Sequence, residues 1–214
     1  MFVSAEIRWF WQDDCPVDLR RWFDETPPTP GGGELRIDQY PLLTGQSEIS
    51  IKRRGENPDV EIKGLVARLR SERGSFAPHV ELWCKWRVEA SALEIAETMT
   101  VRKVRWLRTY DGSGAALVEI PLQLNEKPLS GATLPKNGCN VEITKVLLDG
   151  DSRQWWTLGF EAFGDLDSAP VNLQRTVEFL VSRSFPLMTS GEFLSYPSWL
   201  ARHKPQNAGI ALER

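Results

Sequence analysis

Charged residues in this chain recur with the two-residue period of a β-strand. In EISIKRRGENPDVEIK, Glu48–Lys63, the side chains of Glu48, Ser50, Lys52 and Arg54 share one face, and Ile49 and Ile51 share the other. Turn-forming residues from Gly55 to Asp59 follow. Val60 and Ile62 then continue the apolar face, and Glu61 and Lys63 the charged one. The pattern returns further along. Trp83, Lys85, Arg87 and Glu89 share a face of His79–Glu89, and Lys103 and Arg105 share a face of Val101–Tyr110. Ser4, Glu6 and Arg8 do so in Phe2–Trp11, Glu142 and Thr144 in Asn140–Leu148, and Thr157, Gly159 and Glu161 in Gln154–Phe163. Fixed cations gathered from several strands make a site for a chain of phosphates. Carboxylates beside them have the chemistry to hold Mg²⁺ or Mn²⁺, which bridges phosphate oxygens.

Such side chains converge only if the strands bring them together. The alternation predicts eight to nine strands, largely joined as hairpins, and about four helices. The helices are expected after Asp13–Asp14, with Leu19, Trp22 and Phe23 on one side; from Ser91 through Met99; from Ser168 to about Ser184; and from Gly191 to about His203. Pro27–Gly33 reads as a loop, and Pro41 places its strand, Leu35–Leu43, at an edge or a bend. The region around Arg70–Gly74 is expected to be mobile, and 204–214 to be a flexible tail on a single domain, 1–203. The fold class is α+β, an antiparallel barrel flanked by helices.

The charged faces have two possible directions. Facing water, they leave the apolar faces to fill the barrel and the helices' apolar stripes with little to cover them. Facing inward, they line a lumen in which a charge without a partner costs several kcal/mol. That lumen requires both signs, and both are present: Lys52, Arg54, Lys63, Lys85, Arg87, Lys103 and Arg105 against Glu6, Glu48, Glu61, Glu89, Glu142 and Glu161.

The 214 residues, 41% apolar and 26% charged, with a net charge of −3, describe a globular chain with no overall basicity directing it to nucleic acid. No apolar run approaches the ~20 residues of a membrane span. Cys15, Cys84 and Cys139 form no CxxC pair, and His79 and His203 form no zinc set. With no secretory leader at MFVSAEIRWFW, the expected compartment is the cytoplasm.

In order along the chain stand SAEIR, IDQY, ISIKRRG, VEIKG, VRKVRWLRTYD, NVEITKV, WWTLGFEAFG and FLSYPSWL. This series resembles the CYTH-type triphosphate tunnel metalloenzymes, which include thiamine triphosphatases, inorganic triphosphatases and some adenylate cyclases. The resemblance implies a tunnel barrel and a metal-dependent phosphohydrolase acting on inorganic, nucleoside or thiamine triphosphate. It implies Glu6, Glu142 and Glu161 as metal ligands, Arg8 and Glu6 as catalytic, and Lys52, Arg54, Lys63, Lys85, Arg87, Lys103 and Arg105 as phosphate contacts. The family's ExExK strand is matched only in part: Ser4 stands for the first glutamate and Arg8 for the lysine. Gly159 replaces a second acid found in many members. Fewer acids favour the alternative function, a non-catalytic module that binds polyphosphate or nucleotide.

Overall fold

The computed structural model describes residues 2–41, 47–55, 59–71, 76–89, 98–129, 131, 133–186 and 190–203. The elements in order are β1 (Phe2–Gln12), α1 (Val17–Glu25), β2 (Gly31–Pro41), β3 (Ile49–Arg54), β4 (Asp59–Arg70) and β5 (His79–Glu89). Then come β6 (Thr98–Asp111), β7 (Val118–Ile120), β8 (Gly138–Leu148), β9 (Gln154–Gly164), α2 (Ser168–Val181), β10 (Glu192–Phe193) and α3 (Tyr196–Arg202). Eight strands close into an antiparallel barrel in the order β1-β5-β4-β3-β2-β6-β8-β9, with β9 returning to β1. Short β7 pairs with β6 and β10 with β1, outside the ring. Among the described residues, no helix is long and apolar enough to cross a membrane.

Alternation along each strand gives the barrel wall two faces, and each has its own core. On the outer face, Val3, Ala5, Ile7 and Trp9 of β1 join Val141 and Ile143 of β8 and Leu158, Phe160 and Ala162 of β9. Leu19 and Phe23 of α1 and Leu173 and Leu180 of α2 cover them. Arg108, on the same outer face and fully buried, donates to the carbonyls of Phe23, Thr26 and Pro28 and pairs with Glu119. It thus satisfies carbonyls left over at the C-terminal end of α1.

The second core fills one end of the lumen. Phe10, Tyr40, Met99, Val101, Val146, Leu148 and Trp155 have the lumen-facing parity and pack against Trp199 and Leu200 of α3. Trp199 is completely buried, stacked on Phe10 with ring centroids 5.0 Å apart. The barrel is therefore stoppered at this end, and its lumen is a pocket where the sequence reading expects a tunnel.

Four other expectations change. Gly31–Gly33 is not loop but the start of β2. Gly32 has φ 115°, and a Cβ there would stand 2.1 Å from the Arg105 carbonyl oxygen, so the missing side chain lets β2 approach β6 beside a bulge. Pro41 ends β2, which lies inside the ring between β3 and β6 rather than at an edge. Met99 belongs to β6, paired with Tyr40, while the rest of the helix expected from Ser91 falls at 90–97, outside the described residues. Glu192–Phe193 is a strand on β1, and the last helix starts only at Tyr196, capped by the Ser195 hydroxyl with Pro197 in its first turn. Residues 72–74 of the expected mobile region and the expected tail, 204–214, lie outside the described residues.

Because α3 closes the barrel through a single fully buried indole, Trp199→Ala should lower the unfolding free energy by about 3–5 kcal/mol. Urea denaturation checks this through the midpoint, with the slope unchanged.

Candidate functional site

Beyond the apolar stopper, the lumen opens into a cavity of about 280 Å³. All eleven residues singled out from the sequence line it: Glu6, Arg8, Lys52, Arg54, Lys63, Lys85, Arg87, Lys103, Arg105, Glu142 and Glu161. The charged faces therefore point inward. Their convergence follows from the closed ring, since each strand contributes its even or odd face to the same interior. Glu48 and Glu89, on the same strand faces, do not line the cavity; Glu48 pairs outside it with Arg68.

The cations and acids are interleaved. Glu142 accepts from Arg8 at 2.7 Å and from Arg105 at 3.0 Å. Glu161 pairs with Lys85 at 3.0 Å. Glu6 pairs with Lys63 and accepts from the Ser4 hydroxyl. Glu61 pairs with Lys52 at 3.1 Å. Five residues absent from the sequence-derived set, Arg36, Asp38, Tyr40, Glu126 and Tyr196, complete the network. Asp38, almost wholly buried, receives Lys103 at 2.8 Å, Arg54 at 3.3 Å and Lys52 at 3.7 Å. Glu126, from the loop after β7, binds both Arg105 and Arg36. Tyr196 of α3 faces Lys103, whose ammonium lies 4.0 Å from the ring centroid and also donates to the Tyr40 hydroxyl at 2.6 Å.

These pairs set the protonation states. Burial opposes ionisation of Glu142, but Arg8 and Arg105 outweigh it and hold the carboxyl down at about 2. Asp38 and Glu161 are likewise held well below the usual carboxylate range against their burial, by Lys103 and Lys52 in one case and Lys85 and Lys63 in the other. Lys103 moves the other way. Burial pushes it down to about 7, with Asp38 opposing and the nearby Lys52 and Arg8 adding to the fall. It titrates close to neutrality, which an exposed lysine does not.

The expected divalent site does not take shape from these donors. Mg²⁺ or Mn²⁺ needs several oxygen ligands free to converge. Glu6, Glu142 and Glu161 are each bound to a cationic side chain. Among the described residues, no group of three His, Cys, Asp or Glu side chains could hold a metal ion. The residues present do not fit the metal that the resemblance implies.

No family model and no curated protein matches the chain. Among solved structures, it is similar to that of the S. pombe Pct1 RNA triphosphatase in complex with the Spt5 CTD. The similarity has a TM-score of 0.41 at 10% identity and covers 88% of this chain and 86% of that one.

The depressed carboxylates make stability depend on acid. Glu142 titrates at about 2 in the folded chain against 4.5 ordinarily, so the unfolded chain takes up its proton first as pH falls. The stability it contributes is intact above 4.5 and is lost as pH drops toward 2. Asp38 and Glu161 act in the same sense. Melting temperature should therefore fall steeply below about pH 4.5. In Glu142→Gln that slope should be shallower, from a lower starting value, because Arg8 and Arg105 lose their shared anion. Calorimetric scans across the pH range check both.

Proposed function

We propose that the barrel binds a short chain of phosphates, free or carried by a small molecule, inside its lumen. One observation carries this reading: nine cationic side chains line the cavity against five lining carboxylates and Glu126, which reaches Arg36 and Arg105 from a loop. A surplus of fixed positive charge in a half-buried space is costly unless an anion offsets it. A polyanion with several oxygens spaced along a chain can meet lysines and arginines from several strands at once. The apolar stopper sets the depth, so the ligand enters from the rim, where Arg87 stands exposed and without an ion pair among the described residues.

Hydrolysis of that ligand is a second reading, and Lys103 favours it. A buried lysine pushed down to about 7, facing the cavity, has the pKa of a general base. In its neutral form it takes a proton from a water attacking the terminal phosphorus as the bond to the bridging oxygen breaks and the rest of the chain leaves on that oxygen, while the surrounding guanidinium groups stabilise the charge that develops. On this reading, phosphate release from tripolyphosphate rises with pH through about 7 and is lost in Lys103→Met while binding is retained.

Titration calorimetry with tripolyphosphate tests the binding reading. Heat of binding should saturate at one site and weaken as salt rises. Arg87→Ala should weaken binding roughly tenfold, the lower end for a charge-assisted hydrogen bond. Its melting temperature should be unchanged, since no folded ion pair is removed. Absence of saturable binding would end the proposal.

A further inference from the structure

Arg8, Gly159 and Glu142 lie in one row across three strands: Arg8 of β1 faces Gly159 of β9, and Gly159 faces Glu142 of β8. Arg8 and Glu142 are thus two strand spacings apart, roughly 10 Å between backbones. A side chain at the middle position would block the way. A Cβ on Gly159 would stand 2.5 Å from both Cζ and Nη2 of Arg8, so the guanidinium lies directly over the glycine. From there Nη2 donates to Glu142 and Nη1 donates to the Thr157 hydroxyl at 2.8 Å. The adjacent row holds Glu6 facing Glu161. The guanidinium is buried among the three carboxylates of Glu142, Glu6 and Glu161, all of which act to hold its proton.

We infer that Arg8 takes the place of a divalent cation in this barrel: a tethered positive charge that offsets Glu6, Glu142 and Glu161 and excludes a metal ion from them, with Gly159 supplying the space. Two of the three departures from the tunnel-enzyme pattern, arginine for lysine and glycine for an acid, are then one change. An acid at 159 and the guanidinium of Arg8 cannot occupy the same place. The exchange has chemical consequences. A guanidinium carries one charge rather than two, has no coordination sphere to order water, and stays protonated. It grips an anion by hydrogen bonds from its edge and supplies no hydroxide. Anion binding should therefore need no divalent ion, a consequence that rests on the lumen-binding reading.

The test uses Mn²⁺ alone as probe, followed by calorimetry and by the paramagnetic resonance signal of the free ion. Wild type should bind no Mn²⁺ in the low millimolar range. Arg8→Ala/Gly159→Glu removes the guanidinium and restores an acid, and should bind Mn²⁺ at least roughly tenfold more tightly than wild type. Should this variant fail to fold, the wild type and Arg8→Ala still decide the matter, because removing the guanidinium alone takes it off Glu142 and should raise Mn²⁺ affinity. Mn²⁺ binding by wild type that Glu142→Gln abolishes would overturn the inference, and so would variants that bind Mn²⁺ no better than wild type. Tripolyphosphate affinity measured with EDTA and with Mn²⁺ should be equal in wild type; binding only with Mn²⁺ would also overturn it. If tripolyphosphate fails to bind under either condition, the lumen-binding reading falls, and the Mn²⁺ measurements decide the role of Arg8 by themselves.

Discussion

Charge cannot be left unbalanced inside a closed barrel. Each ammonium or guanidinium turned inward loses hydration, and its attraction to a neighbouring carboxylate must offset that loss. The lumen meets this constraint by alternation in three dimensions. Glu142 serves Arg8 and Arg105, Asp38 serves two lysines and an arginine, and Glu126 reaches in from a loop to share Arg105 and serve Arg36. Removing Glu142, Asp38 or Glu126 therefore exposes more than one cation. The offset is incomplete, since nine cations line the cavity against five lining carboxylates and Glu126.

The inward direction of the charges follows from where the helices go. A strand with one apolar and one charged face can bury either. Here α2 packs an apolar side on β1, β8 and β9 from outside, Leu19 and Phe23 of α1 join the same outer cluster, and those apolar sides have nowhere else to go. Once the outer face is covered, the charged face has only the interior. Period-two alternation in the sequence therefore identified the lumen residues from strands far apart in the chain, including Lys52, Lys85 and Lys103. The order of hairpins likewise pointed to a barrel, since antiparallel neighbours joined by short turns close into a ring with no free edge.

Local signals misled where tertiary contacts overrode them. Three consecutive glycines read as loop, yet Gly32 is strand because only a residue without Cβ fits against the Arg105 carbonyl. Pro41 read as an edge or a bend, yet Arg36, Asp38 and Tyr40 alternate just before it on a strand inside the ring. Those three side chains all line the cavity, and their two-residue spacing was the signal. Glu126 gave no such signal: it sits in a loop, where no periodicity tells which way a side chain points. The pairing of Arg8 with Glu142 was equally invisible, because nothing in one dimension shows that a glycine on a third strand stands between them.

The lumen also has a gradient along its axis that neither periodicity nor composition reveals. The aromatic and aliphatic end, sealed by Trp199, passes directly into the Asp38–Lys103 pair, and only beyond that does the cavity reach the rim. Lys103 lies at that boundary, with the rings of Tyr40 and Tyr196 against its ammonium. Water excluded by the stopper lowers the local dielectric, which strengthens every ion pair nearby and raises the cost of an unmatched charge. Lys103 is thus a buried cation whose proton is weakly held, beside the apolar end that α3 closes, while Arg87 at the rim stays exposed.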